Sequence, residues 1–189
     1  MTRAGPALGI ALTLTLTATP ALGAPLDELM TLLAARRHGV ADFEQTQYLA
    51  ALKRPLRSSG VLTYDAPDRL EQRTLSPRPQ SMLLDHGVLT LTRGSRQRTL
   101  RLEDDPQLAP FIDSVRATLA GDRAALEQHF ELTFEGDLDH WQLTLRPLAP
   151  KLAALVQHIR IGGQRAAILE VEVRQSDGDR SLMSIRPRE

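Results

Sequence analysis

Residues 58–91 read SSGVLTYDAPDRLEQRTLSPRPQSMLLDHGVLTL. Apolar side chains recur two apart, as in Leu62 and Tyr64, Met82 and Leu84, and Leu89 and Leu91, with polar groups such as Thr63 and Thr90 between them. Successive side chains of a strand point to opposite faces, so this period marks strands with one apolar face. Proline, glycine or Asp-His-Gly stands at nearly every corner, where turns need such residues. The stretch therefore predicts consecutive antiparallel strands over 59–64, 70–75, 80–84 and 88–92.

Working toward the N-terminus, residues 41–55 (ADFEQTQYLAALKRP) predict a further strand that ends in a turn at Arg54-Pro55. Before it, residues 25–37 (PLDELMTLLAARR) predict an amphipathic helix. Leu26, Leu29, Met30 and Leu33 share a face, Asp27 and Glu28 suit the first turn, and Gly39 is expected to end it. Working toward the C-terminus, a strand is expected over 97–102, and then the period changes. Asp104 or Asp105 with Pro106 predicts a helix start, and Leu108, Phe111, Ile112, Val115 and Leu119 line one helical face. Pro110 is expected to kink or split this helix, Gly121 to stop it, and Asp122 to cap a shorter one. Strand periodicity returns in FELTFEG, HWQLTLRP, LVQHIRIG, ILEVEVRQ and RSLMSIRP, the last two joined at Ser176-Asp177-Gly178-Asp179. The reading is a mainly β (α+β) antiparallel protein of about eleven strands, with an N-terminal helix and a central helical insertion. No repeat or linker divides residues 24–189, which read as a single domain.

The chain has 189 residues, 42% hydrophobic and 4% aromatic, so its core must rely on aliphatic packing. Its formal net charge of +0 argues against nucleic-acid binding, which calls for a basic surface. Residues 1–23 carry Arg3, a short apolar run diluted by threonines, and Ala21-Leu22-Gly23, the order of a secretory signal cut before Ala24. There are no cysteines, hence no disulfide, no thiolate and no acylation on an N-terminal cysteine. The mature chain is expected to be periplasmic and monomeric.

Sequence signatures of enzymes are absent: Gly-x-Ser-x-Gly, the phosphate-binding loop, the dinucleotide fingerprint and His-Glu-x-x-His do not occur. Asp137-Leu138-Asp139-His140 could ligate a metal but fits a hairpin turn, and Asp85-His86 reads the same way. Glu103-Asp104-Asp105 suits a helix start, where negative charge complements the dipole. No catalytic residue, metal or cofactor is assigned.

One face of such a sheet must be covered, and two short helical segments offer few apolar groups for so wide a surface. The strands then enclose either a filled core or a concave apolar cavity, which composition does not distinguish. The two-residue spacing nominates Leu62, Tyr64, Leu70, Met82, Leu84, Leu89, Leu91, Trp141, Leu143 and Leu145 for the cavity face. The helical stripe nominates Leu108, Phe111, Ile112 and Val115 as a lid over its mouth, or as a structural plug at one end of the barrel.

Phe43-Glu44-Gln45-Thr46-Gln47, then Gly60-Val61-Leu62, Ala66-Pro67, and Met82 to Leu89 with its Asp-His-Gly turn follow one another in a familiar order. With the hairpin over Asp177-Gly178, this order resembles the outer-membrane lipoprotein carrier (LolA) family, most closely its divergent LolA-related branch. The resemblance implies an unclosed antiparallel β-barrel under a helical lid. Its apolar interior would hold the acyl chains of a lipoprotein or other lipid in transit toward the outer membrane. It further implies an inner-membrane donor complex and an outer-membrane acceptor. The family's arginine before the turn proline is replaced here by Ala66, and its following aromatics by Leu70 and Gln72, so lid control by that arginine is not available; Arg69 and Arg73 are the candidates to compensate, against the plainer reading of both as ordinary surface arginines. The alternatives are a lipid-sensing regulatory or adaptor module on the same fold that binds a protein partner, and an exported hydrolase.

Overall fold

Eleven strands form one sheet in the order β6-β5-β4-β3-β2-β1-β11-β10-β9-β8-β7, and the edges β6 and β7 do not pair. The structure is a computed structural model and describes residues 24–104 and 109–188. The signal reading of residues 1–23, and Asp105, Pro106 and Leu108, lie outside the described residues.

Helix α1 (Ala24–Ala34) precedes strands β1 (His38–Tyr48), β2 (Leu56–Asp65), β3 (Arg69–Ser76), β4 (Gln80–Asp85), β5 (Val88–Arg93) and β6 (Arg96–Arg101). A 3-10 turn at Leu102–Asp104, α2 (Ala109–Ala120) and α3 (Arg123–Glu127) follow. The chain ends with β7 (Phe130–Gly136), β8 (Trp141–Pro147), α4 (Pro150–Ala153), β9 (Val156–Gln164), β10 (Ala167–Gln175) and β11 (Arg180–Pro187). Every strand pair is antiparallel.

The sheet is two meanders joined along β1 and β11, where Phe43 lies opposite Ile185. The helical insertion therefore has a topological reason, because it connects the two sheet edges. A flat sheet with ten strand spacings would be roughly 48 Å wide. The insertion's main helix has 12 residues and is about 18 Å long. The sheet curls, for strands of both meanders and α2 line one common space, and that curl makes its inner face concave.

Three local expectations are corrected. Gly39 does not terminate α1; it lies inside β1 opposite Tyr64, and the helix ends at Ala34. Pro110 does not split α2, which runs unbroken through it over Ala109–Ala120. The one-turn α4, with Pro150 in its first turn, is an element that the periodicity missed. Asp122 caps α3 as expected, its carboxylate accepting from the Ala125 amide at 3.0 Å.

The core sits in two clusters rather than one. The larger packs Leu29, Met30 and Leu33 of α1 with Leu126, Phe130, Trp141, Leu143, Leu145, Ile159 and Ile161, on the β7–β10 side. The smaller packs Leu84, Leu89, Leu102 and Ile112 on the β3–β6 side. Phe111 touches both.

Candidate functional site: the concave cavity under α2

Between the two clusters the concave face is not filled. A cavity of about 860 Å³ lies between the sheet and α2, within the size range of small-ligand sites. Its wall follows from strand register. Tyr64, Leu70, Leu84 and Leu89 are consecutive cross-strand partners and form one row across β2 to β5. Leu62, Gln72, Met82 and Leu91 form the next row. The seven candidates on β2 to β5, Leu62, Tyr64, Leu70, Met82, Leu84, Leu89 and Leu91, thus all line this space.

Trp141, Leu143 and Leu145 do not line it. They point inward as their spacing requires, but they are sealed in the larger cluster with side chains of α1, α3 and α4, with Leu143 and Leu145 at 0% exposure. On that side the wall is instead Ile159, Ile161, Ile168, Val171, Val173, Met183 and Ile185 of β9 to β11. The same alternation in LVQHIRIG, ILEVEVRQ and RSLMSIRP is the signal for these residues; it identifies the strands without saying which are left uncovered by a helix. The outward neighbours on these strands carry charge, and Glu172 lies 3.7 Å from Arg160 and 3.2 Å from Arg180.

Phe111, Ile112 and Val115 of α2 line the opposite side of the cavity. Ser114 and Thr118 also face it, and their hydroxyls donate to the Phe111 and Ser114 carbonyls, each at 2.7 Å. That local bonding leaves α2 a largely apolar cover. Tyr64 is different. It is 5% exposed, its hydroxyl has no hydrogen-bond partner among the described residues, and burial pushes its pKa up.

At the turn after β2, the Ala66 amide donates to the Arg37 carbonyl at 2.8 Å. Arg69 is engaged with Asp85 at 2.8 Å on the surface. The arginine that faces the cavity from this end is Arg36, which donates to the Ala166 carbonyl at 3.2 Å. Asp137 accepts from the amides of Asp139 and His140, each at 2.9 Å, which makes the Asp137–His140 stretch a turn stabilised by its own side chain. No group able to hold a metal occurs among the described residues.

A family model described as outer membrane lipoprotein carrier protein LolA-like matches residues 18–185. The chain belongs to this LolA-like family. No curated protein matches the chain. Among solved structures, the chain is similar to the LolA superfamily protein NE2245 from Nitrosomonas europaea, with 10% identity and a TM-score of 0.48 over 90% of this chain and 95% of that one. It is also similar to the Pseudomonas aeruginosa MucA/MucB complex structure, with 12% identity and a TM-score of 0.47 over 86% of this chain and 56% of that one. A third is LprF from Mycobacterium bovis, at 11% identity and a TM-score of 0.36 over 88% and 92%. Within the LolA-like frame, the unclosed eleven-stranded sheet with its N-terminal and central helices is the expected architecture.

Proposed function

We propose that the chain is a periplasmic binding protein, not an enzyme, that carries acyl chains of a lipoprotein or another lipid toward the outer membrane. The observation that carries this reading is the aliphatic cavity of about 860 Å³ between the sheet and α2. Burying a methylene is worth about 0.8 kcal/mol, so an acyl chain crosses water only under cover. Aliphatic walls give contacts that tolerate chains of different shape. Phe111, Ile112 and Val115 act as the lid in this reading, and an inner-membrane donor and an outer-membrane acceptor are the expected partners.

Native mass spectrometry of the protein isolated from its own periplasm tests the proposal. An adduct with the mass of an acyl lipid is expected. Recovery of the bare chain, with no uptake of a fluorescent fatty acid, rules it out. Fractionation with N-terminal sequencing tests export, and the intact chain in the cytoplasm would contradict it.

A lipid-sensing adaptor is the second reading. It is favoured by Tyr48, Leu52 and Leu56, exposed at 46%, 46% and 47% around the β1–β2 connection. A photocrosslinker at Leu52 that captures one periplasmic protein, in a lipid-dependent manner, would support the adaptor over the carrier.

A further inference from the structure

We infer that the cavity selects an acyl lipid with an anionic head, held by Arg93, Arg96 and Arg98 at the β4–β6 end. This deepens the acyl-carrier reading and rests on it.

The charge lining the cavity is one-sided. Arg36, Arg93, Arg96 and Arg98 face it, and no aspartate or glutamate does among the described residues. The whole chain nonetheless has 23 basic and 23 acidic residues, so this segregation is local. Strand register also grades the wall. Leu89 pairs with Leu100, Leu91 with Arg98, and Arg93 with Arg96, so polarity rises row by row along β5 and β6. The cationic row lies about 13 Å from the Leu89 row, at two residues per step on one face. An apolar tail under α2 and a head at this row match the gradient.

Arg93 and Arg96 are also placed where they repel. They are direct cross-strand partners, an arrangement that is destabilising for like charges. Gln80 accepts from Arg93 at 2.9 and 3.2 Å and fixes it without neutralising it. Two other arginines of this wing are paired, Arg69 with Asp85 and Arg101 with Glu103, while Arg73 and Arg78, like the rim arginines, have no carboxylate partner among the described residues. Among the described residues none of the three rim arginines is paired with a carboxylate. A carboxylate or phosphate head would relieve the repulsion and accept charge-assisted hydrogen bonds.

The test is displacement of an uncharged naphthylamine dye from the mature chain by dodecanoate, by lauroyl lysophosphatidylglycerol and by neutral monolaurin. Both anions should bind about tenfold more tightly than monolaurin at low ionic strength, and salt should narrow the gap. The stronger of the two anions identifies a carboxylate or a phosphate head. A variant carrying Arg93→Gln, Arg96→Gln and Arg98→Gln should lose the gap and keep its monolaurin affinity; the matching lysine variant should retain part of it. The salt series on the unaltered protein stands independently of how any variant folds. Equal affinities in the unaltered protein, or a gap that survives the glutamine changes, overturns the head-group inference and leaves the carrier reading intact. Failure of all three lipids to displace the dye overturns both.

Discussion

Gly121 presses the end of α2 against the backbone of α1: a Cβ built on it would lie 2.1 Å from the Met30 carbonyl oxygen and 2.7 Å from the Ala34 nitrogen. Its φ of +64° is a conformation that only glycine adopts without strain. The cover of the cavity is thereby anchored at its C-terminal end, and Arg123 adds an ion pair to Asp27 of α1 at 2.7 Å.

Gly121→Ala is expected to lower stability by about 3 kcal/mol, combining strain with a clash that neither backbone can relieve. Gly94→Ala is the control. Gly94 also has a positive φ, of +58°, but open space around it, so about 1 kcal/mol is expected. Urea unfolding of both variants checks the difference; equal losses would show that the α1–α2 contact carries no weight.

Phe111 and Ala117 should separate lid from anchor within one helix. Phe111 is half-buried and lines the cavity, whereas Ala117 is 1% exposed in the larger core. Phe111→Asp is expected to depress fatty-acid uptake and leave the fold near its native melting temperature. Ala117→Asp is expected to destabilise the whole domain by about 4 kcal/mol, as an unpaired buried charge does. Hydrogen exchange through Val115 as slow as in the core strands, unchanged by lipid, would make α2 a fixed plug.

Leu143 and Leu62 test which inward leucines belong to the core. Leu143→Ala removes a side chain at 0% exposure and should cost about 3 kcal/mol. Leu62→Ala only widens an existing space, so about 1 kcal/mol or less is expected, together with weaker lipid binding. Thermal melts and dye titration read both effects, and a large stability loss at Leu62 would mean that the cavity is closed there.

Tyr64→Phe should raise stability by about 1 kcal/mol, since it removes a buried hydroxyl that lacks a partner. A loss of stability in chemical unfolding would reveal a partner for that hydroxyl.

His86 and His158 should titrate in opposite directions. The hydrogen bond to Asp85, whose Oδ1 lies 2.6 Å from Nδ1 and accepts from the protonated ring, raises His86, and the nearby Asp68 charge adds to this. Its contribution is complete below about pH 6.5 and is lost as pH rises through the raised folded value. Burial, then the Arg160 charge, lowers His158. The unfolded chain therefore binds the extra proton first, and stability falls as pH drops below about 6.5, levelling off below the lowered folded value. Imidazole NMR titration reads both, and Asp85→Asn should bring His86 down toward the ordinary value without moving His158.

The alternation from Leu62 to Leu91 was sufficient to place strands, turns and inward faces, because the direction of a side chain along a strand is a local property of the backbone. The Asp122 cap and the turns at Gly87 and Gly178 were legible as well, because capping and tight turns are also local in the chain. The meeting of Phe43 with Ile185 across β1 and β11 was not, since pairing over so long a separation depends on the curl of the whole sheet. Nor could period two distinguish Leu143 from Leu62. Both point inward, but Leu143 is sealed in the larger cluster under helical side chains, while Leu62 is only half-buried and lines the cavity. The rim arginines 93, 96 and 98 look like ordinary surface charges along the chain. Only the β5–β6 register sets Arg93 against Arg96 and aligns both with Arg98 above the apolar rows. Tertiary structure decided which apolar residues became core and which became cavity, because burial depends on where the helices land, and that is fixed by packing between segments distant in sequence.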